Sequence, residues 1–219
     1  MANLIAVMGS SGTGKSTSLR NLNPKETCII NVSNKSLPFR NAKDYQEGIK
    51  EGGNLVYADD FKTIGAVIDY ICTNRQDLKT IVIDDAGYLM GFDVMRRAKD
   101  KGYEKWTELA SDMFHLVDRA KKCKDVNIVF TFHTEKGDDG LMKIKTAGKL
   151  LDNAIYLDGL FTFLLVSKAD FNISTNKVEY KFITQNDGYA TAKSPMGCLE
   201  PEMDNDLQIV LDKIHKYYN

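Results

Sequence analysis

An excess of charge of either sign is missing from this sequence. Lysine and arginine together number 29 and aspartate and glutamate 30 in 219 residues, a formal net charge of -1. So even a balance gives no overall field to draw in nucleic acid or an anionic membrane, and any such contact must come from a local patch. Metal-type cysteine spacing is missing as well. Cys28, Cys72, Cys123 and Cys198 are scattered, with no C-x-x-C pair. That argues against a zinc site and a disulfide framework and fits a reducing cytosol. Met1-Ala2-Asn3 has no basic residue, and the apolar run after it is too short for a signal peptide or a membrane span. The expectation is a protein of the cytoplasm without membrane contact. Repeats and low-complexity runs are also lacking. The length suits one α/β domain over residues 1–219, large enough to bury a proper core.

What is present is Gly9-Ser10-Ser11-Gly12-Thr13-Gly14-Lys15-Ser16-Thr17. It follows the apolar run Leu4 to Met8 and precedes a helix-compatible segment, Thr17 to Leu22. This is the P-loop pattern, G-x-x-x-x-G-K-[ST], in the strand–turn–helix context it requires. Glycines at 9, 12 and 14 let successive N–H groups curl around a phosphate. A helix starting near Lys15 adds its positive end. Lys15 is expected to reach the β- and γ-phosphates, and Ser16 to offer its hydroxyl to Mg²⁺. The expected ligands are therefore ATP or GTP with Mg²⁺.

Further along, Thr27 to Val32 reads as a buried strand stopped short of a polar, irregular stretch from Ser33 to Gly53. Asp60 is placed to cap a helix from Phe61 to about Asn74, whose Ile64, Val67, Ile68 and Ile71 share a face. Thr80 to Asp85 is apolar until it ends in two carboxylates, as a strand buried in a parallel sheet does. Asp84 then stands where an open α/β sheet collects its ligands, and one carboxylate with Ser16 and phosphate oxygens suffices for Mg²⁺. Asp85 could orient the attacking water, cap a helix or steady a neighbour. Helical character dominates Asp93 to Lys124 with a break near Gly102. Val126 to Phe132 is a further core strand, with Thr131 and His133 at its end able to sense a γ-phosphate. A polar loop runs from His133 to Gly148. Leu160 to Val166 and Val178 to Ile183 form a hairpin-like pair, and a last amphipathic helix covers about Asp204 to Tyr217.

Together these stretches resemble the RecA-like ATPases, and more narrowly the small bacteriophage members that are little more than the RecA core. The likeness rests on the P-loop at Gly9, the strand Ile81 to Asp85, Gly102-Tyr103-Glu104-Lys105-Trp106, Phe130-Thr131-Phe132-His133, and Ala190 to Gly197. It implies a three-layer α/β P-loop NTPase sandwich with a mostly parallel central sheet and an antiparallel C-terminal extension. It also implies an ATP- and Mg²⁺-dependent oligomer in the host cytoplasm, acting with single-stranded DNA and a single-strand-binding protein in recombination or annealing. By the same resemblance Lys193 faces the γ-phosphate of a neighbouring subunit. Lys136, Lys143, Lys145 and Lys149 fall where such proteins carry a DNA-binding loop, although Glu135, Asp138 and Asp139 offset them and no aromatic residue there can stack a base.

One departure stands out. The family's catalytic glutamate follows the second core strand, and here that place reads Asn31-Val32-Ser33-Asn34-Lys35. Asp85 supplies the water-orienting group, or turnover is slow, or ATP acts as a switch in an assembly protein. A P-loop kinase is the other enzyme class. Its lid usually needs arginines, and beyond residue 84 the only ones are Arg96, Arg97 and Arg119, all in helical stretches.

Overall fold

The computed structural model describes residues 1–147 and 156–219. In chain order the strands and helices are β1 (Asn3–Met8), β2 (Thr27–Asn31), β3 (Leu55–Tyr57), α1 (Phe61–Asn74), β4 (Thr80–Asp84), α2 (Gly87–Arg96), α3 (Glu104–Lys122), β5 (Asn127–Phe132), β6 (Thr134–Lys136), β7 (Met142–Ile144), β8 (Phe163–Asn172), β9 (Lys177–Ile183), β10 (Glu202–Asp204) and α4 (Leu207–Tyr218). Eight of the strands form one sheet in the order β10-β9-β8-β1-β5-β4-β2-β3. Its central pairs are parallel, and β9 and β10 extend it antiparallel beyond β8. This is the expected α/β fold of a P-loop NTPase, a mostly parallel sheet between helices.

The layers follow from alternation along the strands. Leu4, Ala6 and Met8 of β1 point into the core that also holds Ile64 and Ile68 of α1, Leu89 of α2 and Met113 of α3. Ile5 and Val7 point the other way, into a core shared with Leu19, Leu22 and Val210 and Ile214 of α4. Each residue step along a strand reverses its face, so strands covered on both sides must be apolar throughout. The cap anticipated for α1 is present: Asp60 accepts from the Thr63 N–H at 2.8 Å, worth about 1 kcal/mol.

Three features differ from the sequence expectations. The segment after the P-loop, expected as a short helix over Thr17 to Leu22, is a 3-10 turn over Ser16–Asn21. Ser18 Oγ donates to the Lys15 carbonyl at 2.6 Å, competing for a group that a helical ladder would use, and Pro24 closes off continuation. The stretch after His133 is not irregular: β6 and β7 pair as an antiparallel hairpin. Finally, Cys72 and Cys123 form a disulfide, Cα atoms 5.8 Å apart. The packing of α1 against α3 brings together two positions 51 residues apart, a proximity that spacing along the chain does not reveal.

Closing a loop of that length stabilises the fold by about 4 kcal/mol in the chain-entropy picture. Thiol titration of unreduced, denatured protein is expected to find two groups, Cys28 and Cys198, and not four. Cys72→Ser is expected to unfold at lower denaturant than oxidised wild type and at the same concentration as reduced wild type.

Candidate nucleotide site

Strand β1 delivers the chain to Gly9 with little room to spare. A Cβ there would meet Thr13 Oγ1 at 2.6 Å and the Ser167 carbonyl at 2.7 Å, so only glycine fits. Gly14 adopts φ +94° with Asn205 Oδ1 and the Tyr180 ring against it, a conformation that side chains rarely take. The turn is braced from the C-terminal extension. Ser167 Oγ on β8 donates to the Thr13 carbonyl at 2.5 Å, and Asn205 Nδ2 donates to that same hydroxyl at 2.9 Å. Arg20 Nη1 reaches the Asn205 carbonyl at 2.6 Å.

Lys15 is folded back over the loop. Its Nζ donates to the carbonyls of Gly9 and Ser10, both at 2.9 Å, and the residue is only 6 % exposed. Burial lowers its pKa, while the carboxylates of Asp85 and Asp84 push the other way. Next to it, Ser16 Oγ donates to Asp84 Oδ1 at 3.0 Å. Thr131 Oγ1 donates to that oxygen too, at 2.7 Å, and accepts from the Asp85 N–H at 2.7 Å. One hydroxyl on β5 thus holds both acidic residues. Burial raises the Asp84 pKa, opposed first by the Thr131 hydrogen bond.

Asp85 sits at φ +61° in the turn between β4 and α2, a strained position of the kind retained where geometry matters more than stability. Its carboxylate faces Lys35 Nζ at 3.4 Å and His133 Nε2 at 3.8 Å. Lys35 also lies 5.0 Å from the Tyr88 ring centre, and Tyr88 meets His133 edge-on. Burial, and then Lys15, hold the His133 pKa below its usual value, so the ring is neutral at neutral pH. These groups line a cleft of about 410 Å³.

The residues fit Mg²⁺ with a nucleotide triphosphate. Hard oxygens of Ser16 and Asp84 converge beside a buried ammonium group, and the positive φ of Gly12 and Gly14 opens backbone N–H groups to the cleft. Among the described residues no group of three or more His, Cys, Asp or Glu could hold a metal by itself, so the ion would share its ligands with phosphate. Residues 1–194 match the family model described as AAA domain. The chain belongs to the AAA-domain family. No curated protein matches it. The AAA domain makes this a nucleotide-binding P-loop ATPase by family, and such proteins generally bind ATP with Mg²⁺. Among its described residues no helix is long and apolar enough to cross a membrane.

Of the residues singled out in the sequence, Gly9 to Thr17, Asp84, Asp85, Thr131 and His133 are brought together in this AAA domain. Lys193 is not among them. It bridges to Leu164 of β8 through its backbone, with N–O distances of 2.9 and 2.8 Å, and burial lowers its pKa. Of the loop lysines, Lys136 and Lys143 do not share a face. In the β6–β7 register Lys143 lies opposite Glu135 and pairs with it at 3.6 Å, whereas Lys136 lies opposite Met142, on the other face. Lys136 and Lys145 are exposed, and Lys149 lies outside the described residues. Sequence reading missed Lys35 and Tyr88, which line the cleft beside Asp85 and His133, and Ser167 and Asn205, which brace the P-loop, none with a motif to mark it.

The raised Asp84 pKa has a sign. Folding prefers the protonated form, so the carboxylate costs stability at neutral pH, and that cost fades as pH falls through the folded pKa. Asp84→Asn is therefore expected to melt above wild type without ligand. The same variant loses the Mg²⁺-dependent gain in melting temperature that ATP gives wild type. Differential scanning fluorimetry with and without Mg²⁺ reads both effects.

Proposed function

We propose that this protein is a RecA-like ATPase of the kind bacteriophages carry, hydrolysing ATP as a homo-oligomer on single-stranded DNA during recombination or strand annealing. All 219 residues form one working domain, acting in the host cytoplasm beside a single-strand-binding protein. The observation that carries this reading is the position of β5. It lies between the P-loop strand and the Asp84 strand, and its Thr131 ties Asp84 and Asp85 together at the phosphate end of the cleft. The antiparallel β8–β9–β10 extension adds support, since it braces the P-loop directly.

In this reading Lys15 leaves the Gly9 and Ser10 carbonyls for the β- and γ-phosphates, a stronger partner for an ammonium group. Ser16 and Asp84 hold Mg²⁺, which supplies charge neutralisation at the phosphates. Neutral His133, hydrogen-bonded through its backbone carbonyl to the Lys145 N–H at 2.8 Å, links the γ-phosphate end of the cleft to the β6–β7 hairpin. Asp85 takes part in ordering water. Lys193 acts across the subunit boundary on a neighbour's nucleotide. Lys136, Lys143, Lys145 and Lys149 contribute to DNA contact, with the exposed Lys136 and Lys145 foremost.

A second reading, an ATP-binding assembly protein with little turnover, is favoured by two observations. Asp85 is already engaged by Lys35 and His133, and no carboxylate follows β2.

The two readings separate in a steady-state ATPase assay. DNA-stimulated turnover is expected, at least severalfold with single-stranded DNA and abolished in Lys15→Ala. Negligible turnover under all conditions, with ATP still bound, selects the assembly protein. For the DNA interaction, replacing Lys136 and Lys145 by alanine is expected to reduce the log–log salt slope of single-strand affinity by about 1.4, or 0.7 for each phosphate no longer neutralised.

A further inference from the structure

We infer that Lys35 is the group by which this site tells a triphosphate from a diphosphate, its ammonium leaving Asp85 to bind the γ-phosphate. The inference rests on the ATP-hydrolysing reading above and names how the site senses the phosphate it is to remove. Lys35 lies just beyond β2, and its backbone is pinned. Its carbonyl accepts from Asn31 Nδ2 at 2.6 Å, and Asn31 pairs in register with Asp84 of β4. Its side chain, by contrast, is 64 % exposed, whereas that of Asp85, which it faces, is 11 % exposed. Nζ lies 3.4 Å from Asp85 Oδ2 and 5.0 Å from the centre of the Tyr88 ring. Lys35, Asp85 and Tyr88 line the same cleft as Lys15 and Ser16.

The tether between Lys35 and Asp85 is loose. A firm charge-assisted hydrogen bond from nitrogen to oxygen spans about 2.7–2.9 Å, and this one spans 3.4 Å. Ion pairs open to solvent contribute little to stability, so parting this one costs little. Lysine carries its charge on a flexible stem that can swing about a fixed backbone. Lys15 is placed differently. It is buried against the glycine turn, where with the loop amides it serves the β-phosphate that ADP carries as well. Of the two lysines that line the cleft among the described residues, Lys35 is the one free to change partners. Burial is the main cause of the lowered Lys15 and His133 pKa values, and the positive charge of Lys35 adds to both. The field of this ammonium therefore reaches the groups that surround the phosphates.

The chemistry follows from the exchange of partners. A terminal phosphate sets new negative charge near Asp85, and its oxygens take the ammonium in place of the carboxylate. Asp85 stays where it is, because its N–H donates to Thr131 Oγ1 at 2.7 Å. The carboxylate oxygen so released accepts a hydrogen bond from water. The water oxygen bonds to the γ-phosphorus as the bond from that phosphorus to the bridging oxygen breaks. The electron pair departs with the diphosphate, and the water's proton leaves on the phosphate product. Lys35 then returns to Asp85, so their pairing belongs to the resting site.

The test compares affinities of the full chain, with Mg²⁺, for ADP and for a β,γ-imido analogue of ATP, alongside single-turnover hydrolysis of ATP. Lys35→Ala and Lys35→Gln are expected to melt close to wild type without ligand, since the lysine faces solvent. Both are expected to lose about tenfold in analogue affinity, the size of one charge-assisted hydrogen bond, with ADP affinity within about twofold of wild type. Hydrolysis at saturating ATP is expected to fall about tenfold in both, and Lys35→Arg, which keeps the charge, to retain most of the preference for the analogue. Unchanged analogue affinity overturns the inference. Equal losses for ADP and the analogue overturn it too, because Lys35 then acts on a phosphate common to both. A glutamine variant that behaves as wild type beside a defective alanine variant also overturns it, since packing of the stem and not the charge is then at work. A loss confined to the analogue, in a protein that binds Mg·ATP yet never hydrolyses it, upholds the γ-phosphate contact and removes the ATPase reading alone.

Discussion

The Asp84 carboxylate and the two hydroxyls that hold it are the constraint on which the rest of the site depends. A carboxylate at the end of a strand buried on both sides is expensive unless hydrogen bonds compensate. Ser16 at the start of the turn after the P-loop and Thr131 on β5 provide them, at 3.0 and 2.7 Å. Thr131 sits on β5, which runs between β1 and β4, so the P-loop and the acid are held one strand apart by the sheet order. The same threonine oxygen accepts from the Asp85 N–H, which fixes a residue whose left-handed backbone would otherwise be free to relax. Remove the carboxylate and three elements lose their common reference point.

Much of this was legible in the residues. The P-loop could be read because its chemistry demands particular residues at particular spacings. Asp84 could be read because an apolar run that ends in acid marks a buried strand arriving at a polar site. Helices α1 and α3 announced themselves by three-to-four periodicity around Ile64, Ile68, Leu109 and Met113. What could not be read was whatever depends on two distant segments meeting. The Cys72–Cys123 bond joins the ends of α1 and α3, and nothing local to either cysteine encodes it. The β6–β7 hairpin hides in a polar stretch whose short strands lack alternation. The 3-10 form of the turn after the P-loop goes with the Ser18 side chain choosing a backbone partner. The stretch after β2 could be seen as the absence of a carboxylate, but not as the place of a lysine that faces Asp85.

The C-terminal extension does more than widen the sheet. Ser167 and Asn205 grip the P-loop from β8 and from the residue after β10, and Asp206 both caps α4 and pairs with Arg20 at 3.8 Å. The β8–β9 hairpin beyond this grip carries Phe171, Val178 and Tyr180 on one exposed face. Tyr180 lines the nucleotide cleft at the root of that hairpin and packs on Gly14. The Tyr180 ring thus occupies part of the space that a side chain at position 14 would need.

The electrostatics of the resting cleft explain why metal and nucleotide belong together. Two carboxylates, Asp84 and Asp85, face two ammonium groups, Lys15 and Lys35, while burial keeps His133 neutral. The formal charges cancel, so the resting pocket needs no counterion. A triphosphate brings several negative charges into this balanced pocket. Lys15 can turn from neutral carbonyls toward it at a gain, because an anionic oxygen is the stronger acceptor. Asp84 cannot turn away, since Ser16 and Thr131 hold it in place, and repulsion between carboxylate and phosphate at low dielectric would exceed what one lysine returns. A divalent cation held by Asp84 and Ser16 would remove that conflict by neutralising charge. The arrangement that balances charge in the resting site is thus the one in which a bound triphosphate would call for Mg²⁺.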